Sequence, residues 1–79
     1  MSNLNNLTNR ANILNGFVAQ DVDETDATNH YYGFENEDGI AIIMRKVVAT
    51  NSYRFSMSSA YDTAWTNKAG NAYVRVAQM

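Results

Sequence analysis

Tyr31-Tyr32-Gly33-Phe34-Glu35-Asn36-Glu37-Asp38-Gly39-Ile40-Ala41-Ile42-Ile43-Met44 runs straight into Arg45-Lys46-Val47-Val48-Ala49-Thr50-Asn51-Ser52-Tyr53-Arg54-Phe55-Ser56-Met57, and together they read as two β-hairpins in succession. Asp38-Gly39 between an aromatic and an aliphatic run is a strong hairpin signal, because glycine takes the left-handed backbone position that the turn requires. A type I turn at Asn36 to Gly39, with Gly39 as the bulge residue, pairs Asn36 with Ile40, Phe34 with Ile42 and Tyr32 with Met44. A second tight turn at Thr50-Asn51 then pairs Val48 with Tyr53, Lys46 with Phe55 and Met44 with Met57. Side chains alternate across a strand, so one face collects Tyr32, Phe34, Ile40, Ile42, Met44, Val48, Tyr53, Phe55 and Met57. Arg45, Ser52, Arg54 and Ser56 fall on the other, along with Tyr31, Gly33, Glu35, Ala41 and Ile43. Two independent turns thus predict one amphipathic antiparallel sheet with the aromatic face inward.

Downstream, Ser58-Ser59 can cap a single helical turn carrying Tyr61 and Trp65, which Gly70-Asn71 ends. Ala72 to Ala77 alternates like a strand and is expected to join the sheet as its fourth, with Tyr61 and Trp65 lying over the apolar face as a lid. Upstream, residues 21–29 are polar and acidic and read as a linker. Asp21, Asp23 and Asp26 raise the possibility of a calcium loop, but the stretch lacks the glycine and the acidic twelfth ligand of such loops, so a solvated loop is expected. In residues 1–20, Leu4, Leu7, Ala11, Leu14 and Val18 have heptad spacing, while a series of asparagines opposes helix formation. The segment is expected to be an arm or short helix that orders against a partner, with a strand around Gly16-Phe17-Val18-Ala19 as the alternative. The expected architecture is therefore mainly β: an arm over 1–20, an acidic linker over 21–29 and a small four-stranded antiparallel domain over 30–79.

Seventy-nine residues make one small domain, whose fold buries only about 60% of its unfolded surface. Such scaffolds are usually supplemented by disulfides, a metal or oligomerisation. The chain has no cysteine and one histidine, His30, which removes disulfides, thiolate sites and polyhistidine sites and leaves self-association. The formal net charge of -2 argues against nucleic acid as the main partner. Charge is segregated: the acidic residues lie between Asp21 and Asp38 apart from Asp62, whereas the basic residues other than Arg10 begin at Arg45. Opposite patches on one domain allow copies to pair head to tail; the alternative is two ordinary solvated surfaces. No apolar run reaches membrane-spanning length, and Met1 to Asn6 has neither the basic nor the apolar region of a secretory leader. An aqueous compartment is expected, with no membrane partner.

The residues also speak against catalysis. A nucleophile needs a base within reach, and His30 reads as a strand-end residue. Asp23-Glu24 and Glu37-Asp38 are carboxylate pairs in loops, where nothing raises one pKa for acid-base work. Tyr53-Arg54-Phe55 could stack on bases, but its aromatic residues share the face assigned to the core. Trp65 reads as a core lid or an interface anchor.

Tyr32-Gly33-Phe34, Asp38-Gly39, Tyr53-Arg54-Phe55, the run from Tyr61 to Ala69 and the closing aromatic Tyr73 resemble small uncharacterised proteins encoded by tailed bacteriophages. The likeness runs from Tyr31 to Val76 and omits the N-terminal segment. Lys68 stands where that pattern, Trp-x-x-basic-Ala, more often has arginine. The resemblance implies a viral origin and a minor virion component. The expectation is a non-enzymatic structural protein of a tailed-phage virion, a head decoration or cement subunit without metal or cofactor. It would be made in the host cytoplasm and would dock in many copies on itself and on the major capsid protein. The alternative is a small binding or adaptor module, in the tail or head completion or as an inhibitor of a host protein, acting by strand addition. Leu4, Leu7, Leu14, Phe17 and Trp65 are the residues expected to touch neighbours. Changing Leu7 and Leu14 to serine should lower assembly, measured by sedimentation, while leaving the β signal of circular dichroism intact. Loss of both together would make the segment part of the core.

Overall fold

The structure, a computed structural model, describes residues 16–78. Four strands, β1 (Val18–Asp23), β2 (Asn29–Glu35), β3 (Ala41–Val47) and β4 (Ser52–Ser58), form one antiparallel sheet in chain order. A helix, α1 (Tyr61–Thr66), follows, then 3₁₀ turns at Lys68–Gly70 and Val76–Gln78.

The β2–β3 turn follows from its residues. Gly39 has φ 81, and the Asn36 carboxamide oxygen accepts hydrogen bonds from the Asp38 and Ile40 amides at 3.0 and 2.9 Å. The Asn36 amide donates to the Ile40 carbonyl at 3.0 Å, and Phe34 opposes Ile42 while Tyr32 opposes Met44, as the turn predicts. The second hairpin differs from its expected register. Tyr53 opposes Lys46 and Phe55 opposes Met44, because residues 48–51 form a wider loop than a two-residue turn. Asn51 enters the left-handed region at φ 56, which asparagine tolerates better than most residues. A slip of two residues leaves every side chain on its expected face.

The fourth strand is also not the expected one. Val18–Asp23 completes the sheet beside β2, with a bulge between Ala19 and Asp21, so only Glu24–Thr28 remains as loop. The closing segment contributes a single bridge, Val74 to Phe55, with N···O distances of 2.8 and 2.9 Å. It then curls into a 3₁₀ turn in which the Arg75 amide donates to the Gln78 side chain at 3.0 Å.

The largest correction concerns which face is covered. The helix does not lie over Tyr32, Phe34 and Met44 but over the opposite face, where Tyr31, Ala41, Ile43, Tyr61 and Ala64 form one buried cluster with Trp65 and Tyr73 packed against it. The cause is size. Gly33 and Ala41 leave a shallow floor on that face, and a β-carbon on Gly33 would fall 2.9 Å from the Trp65 ring. Ile42 and Phe55 are buried on the face away from the helix, at 0% and 3% exposure, flanked in the register by half-buried Tyr32, Phe34 and Met44. A six-residue helix is too short to be stable alone, so packing of Tyr61 and Ala64, one turn apart, holds α1 in place. Its N-cap is Ala60 rather than a serine, and the Ser58 hydroxyl accepts instead from the Ala60 amide at 3.2 Å.

Candidate functional site

Two polar contacts tie the helix and its following turn to the outer strand. The Tyr61 hydroxyl donates to Asp21 Oδ2 at 2.8 Å across 40 residues of sequence. Lys68 Nζ lies 3.4 Å from Asp23 Oδ2 and 4.6 Å from the centre of the Trp65 ring. Trp65 in turn stacks on Tyr61, with centroids 6.4 Å apart and planes within 6°. Register brings this about: Asp21 opposes Gly33 and Asp23 opposes Tyr31, so both carboxylates share the helix-covered face. The Asp21–Tyr61 and Asp23–Lys68 pairs join residues far apart in sequence and have no local signature. Only the odd alternation of Asp21 and Asp23 pointed to a shared face.

Among the described residues, the acidic loop spends its carboxylates on itself and on neighbouring side chains. Asp23 accepts from the Thr25 hydroxyl at 2.6 Å and the Thr25 amide at 3.1 Å, and these bonds hold its pKa below the usual carboxylate value. Asp26 accepts from the Thr28 and Asn29 amides at 2.7 and 3.3 Å. Glu24 accepts from the Tyr32 hydroxyl at 2.6 Å and lies 4.0 Å from His30 Nδ1. Asp21, Asp23 and Asp26 therefore do not converge, and no group of His, Cys, Asp or Glu among the described residues is placed to hold a metal ion. Among the described residues, two hollows beside surface loops are wide open to solvent: about 560 Å³ beside Thr66, Asn67 and Gly70, and about 310 Å³ between Gly16 and Asn36 to Asp38. No helix among the described residues is long and apolar enough to cross a membrane.

Three tyrosines give the fold an alkaline limit. The bond to Glu24 pushes the Tyr32 phenol up to about 12, burial does the same for Tyr73, and burial with the bond to Asp21 raises Tyr61 further. In the unfolded chain these groups ionise near 10.0. Between those values the unfolded state holds fewer protons than the folded one, so stability is complete below pH 10 and falls as pH rises toward 12. Denaturant midpoints measured on either side of this window should drop on the alkaline side. Tyr61→Phe should shrink the drop and lower neutral-pH stability by about 1 kcal/mol through loss of the Asp21 bond. An unchanged midpoint up to the top of the window would refute the buried phenols.

The residues expected to meet neighbours divide. Leu4, Leu7 and Leu14 lie outside the described residues. Phe17 is half-buried just before β1. Trp65 is half-buried and is engaged by Tyr61, Lys68 and the floor at Gly33 within its own chain. Exposed apolar side chains occur elsewhere: Val18 and Val22 on β1 at 63% and 61%, and Met57 on β4 at 55%. Their signal in the sequence was weak, because an isolated valine on a strand reads the same inside or outside. Among the described residues, no strand pairs with the outer side of β1. Compared with protein-family models, curated proteins and solved structures, the chain matches none.

Proposed function

We propose that the chain is a non-enzymatic structural protein of a tailed-phage virion, a head decoration or cement subunit that works by multivalent docking. The observation that carries the docking half is the β1 edge, where Val18 and Val22 are exposed on a strand whose outer side has no partner among the described residues, on a domain with a small core. Such an edge is an interaction surface or a liability, and the bulge at Ala19 to Asp21 with its carboxylates blunts it against casual pairing. The viral half is supported by the likeness of Tyr31 to Val76 to small phage proteins. Each subunit contributes little, and many weak contacts to a lattice sum to firm attachment. Mass spectrometry of purified particles should find the chain at a fixed ratio to the major capsid protein; its absence from particles would overturn the reading.

The same edge favours a second reading, an adaptor or inhibitor that accepts one strand of a partner along β1. Here Val22→Lys should weaken capture of that partner by about tenfold or more in a pull-down while leaving thermal stability nearly unchanged, since the residue is 61% exposed.

A further inference from the structure

Arg45 and Arg54 face each other directly across β3 and β4. Like charges in that arrangement repel and destabilise a sheet. The bridge between Phe55 and Val74 carries the row one place further, so that the register puts Arg75 beside Arg54. Neighbouring strands lie about 4.8 Å apart, which brings three arginine backbones within about 10 Å. Among the described residues none of the three guanidinium groups meets a carboxylate. Arg45 lies over the Tyr73 ring at 4.6 Å, and its Nε is buried with no acceptor. Arg54 reaches only the carbonyl of its neighbour Tyr53, at 2.9 Å. The row presents positive charge that no carboxylate among the described residues offsets, and guanidinium groups favour an anionic partner.

The acidic groups of β1 and the loop that follows it, Asp21, Asp23, Glu24 and Asp26, are already engaged by internal contacts. The exposed carboxylates of Glu37 and Asp38, at the tip of the β2–β3 turn, have no partner among the described residues. Four residues of β3, Ala41 to Met44, lie between the turn and Arg45, or about 14 Å along the strand axis. The domain therefore carries free negative charge at one end and free positive charge toward the other, on a chain whose net charge of -2 disfavours polyanions.

We infer that the Glu37–Asp38 tip of one copy docks on the Arg45–Arg54–Arg75 row of the next. Such a contact is heterologous: it does not satisfy itself in a pair, and repeats into a ring or an open row. It deepens the proposed multivalent role by naming the surfaces, and it rests on that reading only for its biological setting. Absence of the chain from particles would overturn the virion role and leave the contact standing.

Charge exchange in the full chain tests it. By analytical ultracentrifugation at low salt the native protein should self-associate with rising concentration, and added salt should reverse this. Glu37→Arg with Asp38→Arg, or Arg54→Glu with Arg75→Glu, should each weaken association by about tenfold or more. Mixing the two variants should restore it, because each then offers what the other lacks. The exposed Arg75→Glu change alone, which spares the sheet, should weaken association in the same direction. A native protein that stays monomeric under these conditions, variants that associate undiminished, or a mixture that fails to recover would each overturn the contact. So would a row that binds inorganic phosphate or single-stranded DNA while the chains remain monomeric.

Discussion

Gly33→Ala is expected to destabilise the domain by about 1–3 kcal/mol, an effect out of scale with one added methyl group. The position is not special for its backbone angle but for what lies above it. A β-carbon there would meet the Tyr61 hydroxyl and come within 2.9 Å of Trp65 Cε3. Tyr61 cannot simply swing away, because its hydroxyl is bonded to Asp21 and its ring is stacked on Trp65. The helix must lift or the strand must sink. For a domain of this size each kcal/mol moves the melting temperature by about 4–8 °C, so calorimetry should register the change clearly. Removing the obstructing hydroxyl should relieve part of the strain: Gly33→Ala with Tyr61→Phe should cost less than the sum of the single changes. Additive costs would mean that Tyr61 does not cover Gly33.

Ile43→Ala is expected to be costlier still, about 2–5 kcal/mol, and close to the whole stability of a domain this small. Ile43 is fully buried and lies in the cluster with Tyr31, Ala41, Tyr61 and Ala64. Truncation removes its share of transfer energy and leaves a void under the helix that the rigid sheet cannot close. Urea denaturation should show either a sharply lowered midpoint or no cooperative transition. A cost under about 1 kcal/mol would show that the helix-covered face is not the principal core.

That face is where sequence reading and structure part company. The β2–β3 hairpin was legible because Asn36 and Gly39 determine its turn through local hydrogen bonds and one backbone angle. The sheet and its antiparallel order follow from such local signals. Choosing the inward face by counting aromatic residues failed, because Gly33 and Ala41 matter for the space that they leave, and an empty space has no hydropathy. The register of the second hairpin turned on whether Asn51 would adopt a left-handed angle, which asparagine permits without compelling. Likewise, Val18–Asp23 was divided between arm and linker because its bulge breaks the alternation on which strand recognition depends. Of the residues expected to touch neighbours, Trp65 illustrates the difficulty. A tryptophan near the end of a short helix has the same sequence context whether it serves its own chain or another. Arg45 and Arg54 were both placed on one face by alternation, but that they stand opposite each other depended on the corrected register.

The bridge between Val74 and Phe55 gives the sheet a blind side. By occupying the middle of the β4 edge with the chain's own tail, it withholds the backbone donors and acceptors that another molecule would need there. Among the described residues, a visiting strand then finds an uninterrupted run of main-chain donors and acceptors along β1, whereas along β4 it must displace Val74 first. Stacking of copies by strand addition at both edges is thereby disfavoured, which leaves more of any larger assembly to side chains.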